Sequence, residues 1–173
     1  MTAILYVWNG LPSEAAVAAL LNCCAAHRWA GRVAAQRPYL SEDQLLTTAD
    51  SAWAMTDELD WMQAFRAHPR IGERHAPHAS AQSSAWSQQE QSSADTAEAE
   101  ILHELATANA RYEEIFGFTF IVCATGKSAQ EMLAILRRRL QNKRPIELRA
   151  AAEQQRQINQ LRLRKWLRGG TQR

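Results

Sequence analysis

Hydrophobic residues along this chain recur mainly at steps of three and four, which is the spacing of one face of an α-helix. The first such stripe consists of Val17, Leu20, Leu21 and Cys24. It follows Ser13, which is the expected N-cap of its helix. A short second helix is expected over residues 29–33. The hydrophobic pattern therefore predicts a helical protein.

Helix start and stop signals divide the rest of the chain. Ser41, Ser87 and Ser128 are each followed three residues later by Glu or Gln, which is the capping-box pattern of a helix start. Residues 56–58 are expected to begin a further helix, and Gly117 is expected to end the long one that starts at Ser87. Pro145 fits the first turn of the last helix.

Two helices carry arginines whose placement the pattern predicts. In the helix after Ser128, residues 137–139 are all arginine and are expected to point largely outward. In the last helix one stripe contains Leu148, Ala151, Gln155, Ile158 and Arg162. Because this stripe is partly apolar, Arg162 needs an anionic partner if it is buried.

Residues 118–124 form the one strongly β-prone run, and no second run offers itself as a partner strand. The backbone N–H and C=O groups of such a segment need other partners if they are buried. A polar ligand is one possibility, and a structural crossover satisfied by side chains and water is the other. The predicted fold is thus an all-α, single-domain bundle over residues 1–173, with about seven to nine helices and one extended segment.

His68 stands at a corner where helical periodicity stops. Because Pro69 follows it, the backbone of His68 is pushed out of the helical region, and Gly72 suits a turn soon after. A histidine on such a stiff corner can be directed at a small molecule. The alternative is an ordinary helix stop at which the histidine acts only as a cap.

Composition and charge narrow the class of protein. The net charge of +2 is too small to indicate a nucleic-acid partner by itself. Three cysteines, two of them adjacent, form no disulfide framework and suggest a reducing compartment. We expect no membrane span and no signal peptide, hence a cytoplasmic protein. The spacing of His68, Glu73, His75 and His78 matches no zinc pattern, so no metal site is expected.

Ser87, Glu90 and Gln91 lie at a predicted helix N-terminus. Glu90 at position N3 is expected to reach back to the backbone of Ser87 and complete the cap. The free N–H groups of the same turn also favour anionic or polar ligands. The two interpretations are compatible, because a capped helix start is also a rigid one.

Five motifs together, in this order and spacing, resemble the OHCU decarboxylases, the 2-oxo-4-hydroxy-4-carboxy-5-ureidoimidazoline decarboxylases of urate breakdown. They are His68-Pro69…Gly72, Ser87-x-x-Glu90-Gln91, Asn109-x-x-Tyr112, Phe116-Gly117-Phe118-x-Phe120-Ile121, and the stretch from Ile158 to Arg162-Leu163. The resemblance runs from about residue 11 to residue 167, and the Ala/Ser/Gln-rich loop of residues 73–85 does not contribute to it.

This resemblance implies an all-α homodimer that converts OHCU to (S)-allantoin without a cofactor. It implies that His68 is the catalytic histidine and that Glu90 is one of the binding residues at the helix start. Because a histidine can act as an acid/base near neutral pH, our hypothesis is that His68 does so and that Glu90 fixes its orientation or that of the substrate. Substrate contacts are implied for Pro69, Ser87, Gln91, Phe120, Ile121, Val122, Cys123, Ala124 and Arg162. The extended segment would then cross near the site.

A different class of function remains open from the residues alone. Arginines and lysines at 137–139, 143–144 and 162–168 provide basic surface for a helical nucleic-acid-binding module. A helical dimerisation module without catalysis is a further alternative. The first alternative predicts steeply salt-dependent binding to DNA or RNA.

Overall fold

The structure is a computed structural model that describes residues 2–70, 86 and 99–169. Within these ranges every regular element is an α-helix, and eight helices are present. They are α1 (Ala3–Asn9), α2 (Ser13–Leu21), α3 (His27–Ala34), α4 (Glu42–Ala54), α5 (Glu58–Phe65), α6 (Ala99–Phe116), α7 (Ala129–Arg139) and α8 (Arg144–Leu167). The predicted all-α class is confirmed. None of the helices in the described ranges combines the length and the apolar character that a membrane span requires.

Residue contacts divide the chain into two compact units. One contains residues 1–64 and 156–173, and the other contains residues 65–155. The last helix, α8, contributes its first half to the second unit and its second half to the first.

Tryptophan side chains organise the first unit, in which α3 packs against both α2 and α4. Trp8 stacks on Tyr39 with ring centroids 5.9 Å apart and meets Trp166 edge-on at 5.6 Å, which joins α1 to the end of α8. Trp29 is fully buried, and its indole N–H donates to the carbonyl of Ala49 at 3.0 Å. The indole N–H of Trp8 likewise donates to the carbonyl of Ala16 at 3.0 Å, so both buried rings combine apolar contact with a satisfied polar group.

Aromatic rings also organise the second unit, in which α6 packs against α7. The ring of Tyr112 lies 4.6 Å from Phe116, 5.7 Å from Phe118 and 5.3 Å from Phe120. Tilted and edge-on contacts of this kind are the favourable geometry for aromatic pairs. They fix residues 118–120 against the C-terminal half of α6.

Most of the predicted helix boundaries are confirmed. Ser128 and Glu131 form the complete capping box at the start of α7. At α4 the Ser41 hydroxyl accepts from the N–H of Gln44 at 3.1 Å, whereas the Gln44 side chain accepts from the N–H of Leu40 instead of Ser41. Gly117 follows the last residue of α6 with φ +78°, as expected for a residue that ends a helix.

The helix that residues 56–58 were expected to cap begins at Glu58, and Pro145 lies in the first turn of α8. The expected short second helix is α3. The Ser13 prediction was wrong, because α2 already begins at Ser13 and its N-cap is Pro12, which has no side-chain donor or acceptor. The helix start predicted at Ser87 lies outside the described residues.

Candidate active site

The His68 corner begins where α5 ends. The N–H of His68 donates to the carbonyl of Phe65 at 3.0 Å, which closes the last turn. Pro69 is buried, and His68 is partly exposed. The histidine therefore lies just beyond the helix, as the following proline predicts.

Contacts on both sides of His68 hold this corner in place. Before it, Phe65 packs on Phe118 with ring centroids 5.2 Å apart. After it, Arg70 donates from Nε and Nη2 to the two carboxylate oxygens of Glu113, at 2.8 and 2.6 Å. Such a two-point guanidinium–carboxylate contact fixes orientation as well as distance. The hydrogen bonds from Arg70 lower the pKa of Glu113.

Three side chains hold the backbone of the extended segment. The carbonyl of Ile121 accepts from Nη1 of Arg139 at 2.6 Å. The N–H of Cys123 donates to the amide oxygen of Gln154 at 2.9 Å, and its carbonyl accepts from Nζ of Lys127 at 2.7 Å. The prediction that this segment pairs with no strand is confirmed for the described residues.

Phe120 and Val122 differ from Ile121 and Cys123 in their backbone hydrogen bonding. The main-chain N–H and C=O groups of Phe120 and Val122 make no hydrogen bond with another described residue. Side chains 120–124 are all buried. Side chains thus bind the carbonyl of Ile121 and both main-chain groups of Cys123, as a structural crossover requires. Binding of a polar ligand to the main chain of Phe120 and Val122 stays a prediction.

Arg139 lies at the centre of a buried polar cluster. It is 5% exposed, and Glu147, its partner, is fully buried. Nε of Arg139 donates to the Glu147 carboxylate at 2.7 Å, and Nδ2 of Asn142 donates to the other oxygen at 2.7 Å. The hydroxyl of Tyr112 donates to the same carboxylate. Burial raises the pKa of Tyr112, so this hydroxyl stays protonated and remains a donor.

The outward placement predicted for residues 137–139 was therefore wrong for Arg139. Arg137 and Arg138 are exposed as expected. Arg139 continues the buried face of Met132 and Leu136 at the seven-residue step, and this spacing was the signal for its burial. The charge is tolerated because Glu147 and Ile121 supply acceptors.

Arg162 belongs to the first unit, and it is 2% exposed. The predicted stripe of α8 is confirmed, since all five of its residues are buried. Arg162 lies close enough to the thiols of Cys23 and Cys24 to interact with both electrostatically. Burial raises the pKa of Cys24, and after the opposing effects of the Ala26 backbone and the Arg162 charge it remains at about 12.

The remaining predicted site residues are Ser87, Glu90 and Gln91, which lie outside the described residues, as do Glu73, His75 and His78. His68, Pro69 and residues 120–124 belong to one unit. Among the described side chains, no three His, Cys, Asp or Glu residues form a group that could hold a metal ion.

The family model for OHCU decarboxylase matches residues 9–164. A uric acid degradation bifunctional protein of Arabidopsis thaliana is 37% identical over 144 residues, which is 83% of this chain and 44% of that protein. A second bifunctional protein, from Bacillus, is 27% identical over 82% of this chain and 27% of its own length. This chain thus spans less than half of each bifunctional relative.

Other relatives match over most of their own length. A 2-oxo-4-hydroxy-4-carboxy-5-ureidoimidazoline decarboxylase of Haloferax volcanii is 29% identical over 78% of this chain and 77% of that protein. An OHCU decarboxylase crystallised in the presence of (S)-allantoin superposes with a TM-score of 0.74 and 33% identity, over 91% of this chain and 99% of that one.

An (S)-allantoin synthase shares the fold, with a TM-score of 0.68 at 17% identity, over 93% of this chain and 52% of that one. The extent of the family-model match, residues 9–164, decides the classification. This chain belongs to the OHCU decarboxylase family.

Proposed function

We propose that this chain decarboxylates OHCU to (S)-allantoin in urate breakdown and that it needs no cofactor. The observation that carries the proposal is the similarity to an OHCU decarboxylase crystallised with (S)-allantoin, which covers 99% of that chain at 33% identity. The bifunctional relatives, named for uric acid degradation, support the same assignment.

The reaction needs an acceptor for the electrons left by the departing carboxylate. In OHCU the adjacent ring C=N bond can accept them, and carbon dioxide leaves as the C–C bond breaks. The protein must orient the scissile carboxylate, manage the proton of the neighbouring hydroxyl and supply a proton to one face of the resulting enamine. Delivery to one face is what makes the product the S enantiomer.

His68 is the acid/base in this proposal. A histidine titrates near neutral pH and can both accept and donate a proton. The corner geometry supports the role, because contacts of Phe65 and Arg70 restrict the residues on both sides while His68 itself remains partly exposed. Glu90 orients His68 or the substrate, and Pro69 contacts the substrate.

Polar groups of the substrate are bound by the remaining residues in this proposal. Ser87 and Gln91 act from a helix start, where free N–H groups favour anions. The backbone of residues 120–124 holds the ring and the ureido group. Arg162 binds a polar or anionic group, for which a guanidinium is well suited.

Part of the basic surface that the nucleic-acid hypothesis requires is buried or already paired with an acidic residue. Arg139 and Arg162 are buried, and Arg137 pairs with Glu104 at 2.6 Å.

The proposal also includes one domain over residues 1–173, a homodimer and a cytoplasmic location. Light scattering during size-exclusion chromatography tests the dimer directly.

The activity is tested by generating OHCU in place from urate, with urate oxidase and hydroxyisourate hydrolase, and following product circular dichroism. The wild-type protein should give a rapid (S)-allantoin signal that His68→Ala and His68→Asn abolish. His103→Ala is the matched control, because His103 is an exposed histidine on α6.

A racemic product formed at the rate of the enzyme-free mixture would refute the activity. Full activity in folded His68→Ala would refute the role of the histidine while leaving the activity standing. Thermal unfolding of each variant shows whether it is folded.

A further inference from the structure

Within residues 120–123 the backbone hydrogen bonds lie on one edge of the extended segment, and beyond them the carbonyl of Ala124 accepts from the N–H of Lys127 at 2.9 Å. In an extended chain the N–H and C=O groups of successive residues point to opposite edges. Ile121 and Cys123 therefore share one edge, and the side chains of Arg139, Gln154 and Lys127 occupy it. Phe120 and Val122 present their backbone groups at the other edge.

The free edge matches the chemistry of a ureido group. Such a group carries N–H donors beside a C=O acceptor, as an amide does. The N–H and C=O of a single extended residue offer the complementary pair. The position of the backbone groups of Phe120 and Val122 then depends on the side chains that hold Ile121 and Cys123 at the opposite edge.

Arg139 is the most strongly fixed of the three anchoring side chains. Its guanidinium contacts the fully buried carboxylate of Glu147 through Nε and Nη2, at 2.7 and 2.5 Å, and Nη1 is left to donate to Ile121. The guanidinium carbon also lies 4.8 Å from the ring centroid of Phe120, which is a cation–π distance. One planar group thus contacts two consecutive residues of the segment.

We propose that Arg139, held by Glu147, is a positioning residue that fixes the free edge of residues 120–122 for the substrate. This inference rests on the proposed decarboxylase function. Arg139 touches no reacting atom and acts through the backbone of the segment. Its planar fork binds Glu147 and Ile121 simultaneously, whereas a lysine ammonium is a single charged point on a flexible stem.

The test uses two altered forms of the cluster. Arg139→Lys keeps the charge and removes the fork, and the double variant Arg139→Met with Glu147→Gln removes both charges together, so that no buried charge is left alone. Arg138→Met is the control, because Arg138 is an exposed arginine on the same helix.

We expect kcat to fall roughly tenfold to a hundredfold in both cluster variants, since small misplacements of bound substrate have effects of that size. The enantiomeric excess of (S)-allantoin should fall with it, because a loosely held enamine is protonated on both faces. Amide hydrogen exchange of Cys123, whose N–H donates to Gln154, should become faster in the same folded proteins. The Arg138→Met control should match wild type in all three measurements.

Wild-type values of kcat and enantiomeric excess in Arg139→Lys would overturn the inference. Lost activity with unchanged exchange at Cys123 would also overturn it, because the segment would then be held without Arg139. If wild-type protein has no activity, the proposed function fails instead. The exchange comparison then decides the anchoring by itself: faster exchange supports it and unchanged exchange refutes it.

Discussion

Arg70 and Glu113 form a two-point ion pair, with N–O distances of 2.8 and 2.6 Å, two residues beyond His68. The pair connects the chain after the corner to α6. Half of the Arg70 side chain is exposed, so its effect on the free energy of unfolding is limited by solvent. Its value lies in fixing the direction in which the chain leaves the corner.

We therefore expect Arg70→Met to reduce activity much more than stability. The free energy of unfolding should fall by less than about 1 kcal/mol, the usual range for exposed pairs. Formation of (S)-allantoin should slow roughly tenfold or more as His68 loses its fixed position. Kinetics and urea unfolding of the same sample measure both.

Arg137→Met is the matched control, because it breaks another 2.6 Å ion pair, with Glu104, whose two side chains are more exposed. Equal activity losses in the two variants would contradict the proposed role of the Arg70 pair.

The contribution of the Arg70–Glu113 pair to stability should also depend on pH. Because Arg70 lowers the pKa of Glu113, its stabilisation is complete above the ordinary carboxylate pKa and is lost as pH falls through the lowered value.

Any side chain at position 117 should destabilise the protein, although there is space for one. Its φ is +78°, and a Cβ built on it would meet no atom within 4 Å. Gly117→Ala is expected to lower the free energy of unfolding by about 1–2 kcal/mol, the cost of the left-handed conformation alone. Differential scanning calorimetry measures this change.

Replacing Gly31, inside α3, by alanine should have the opposite effect on stability. A Cβ there also meets nothing within 4 Å, but the residue is helical. Gly31→Ala should raise stability by up to about 1 kcal/mol because alanine is the better helix former. The prediction for Gly117 is wrong if the two alanine variants change stability in the same direction.

The adjacent thiols of Cys23 and Cys24 should make the protein sensitive to alkali. Burial raises the pKa of both, to about 12 for Cys24, from an ordinary value of 9.0. Above about pH 9 the unfolded chain loses protons that the folded chain retains, so stability falls as pH rises. The slope approaches about 1.4 kcal/mol per pH unit for each thiol.

Urea unfolding from about pH 8 to about pH 10 measures this slope. The double variant Cys23→Ala with Cys24→Ala should show a clearly smaller slope. An identical slope in the two proteins would exclude these thiols as its source. Native protein should also resist thiol-labelling reagents, since all three cysteines are buried.

Local signals in the sequence were sufficient to predict most helix boundaries. The capping box of Ser128 with Glu131 and the helix-ending Gly117 act within three or four residues, so short-range spacing determines them. The α8 stripe followed from helical periodicity, which placed Arg162 on it but left open whether Arg162 is buried. Helix α1 (Ala3–Asn9) was not predicted.

Local patterns in the sequence were enough to predict the helical class, the breaks at His68 and Gly117, and a non-helical segment at residues 118–124. What holds that segment depends on side chains that folding brings from other parts of the chain. Ile121 accepts from an arginine 18 residues later, and Cys123 donates to a glutamine 31 residues later. An arginine is buried or exposed according to whether an acceptor is folded against it, and for Arg139 that acceptor is Glu147, one helix further along the chain.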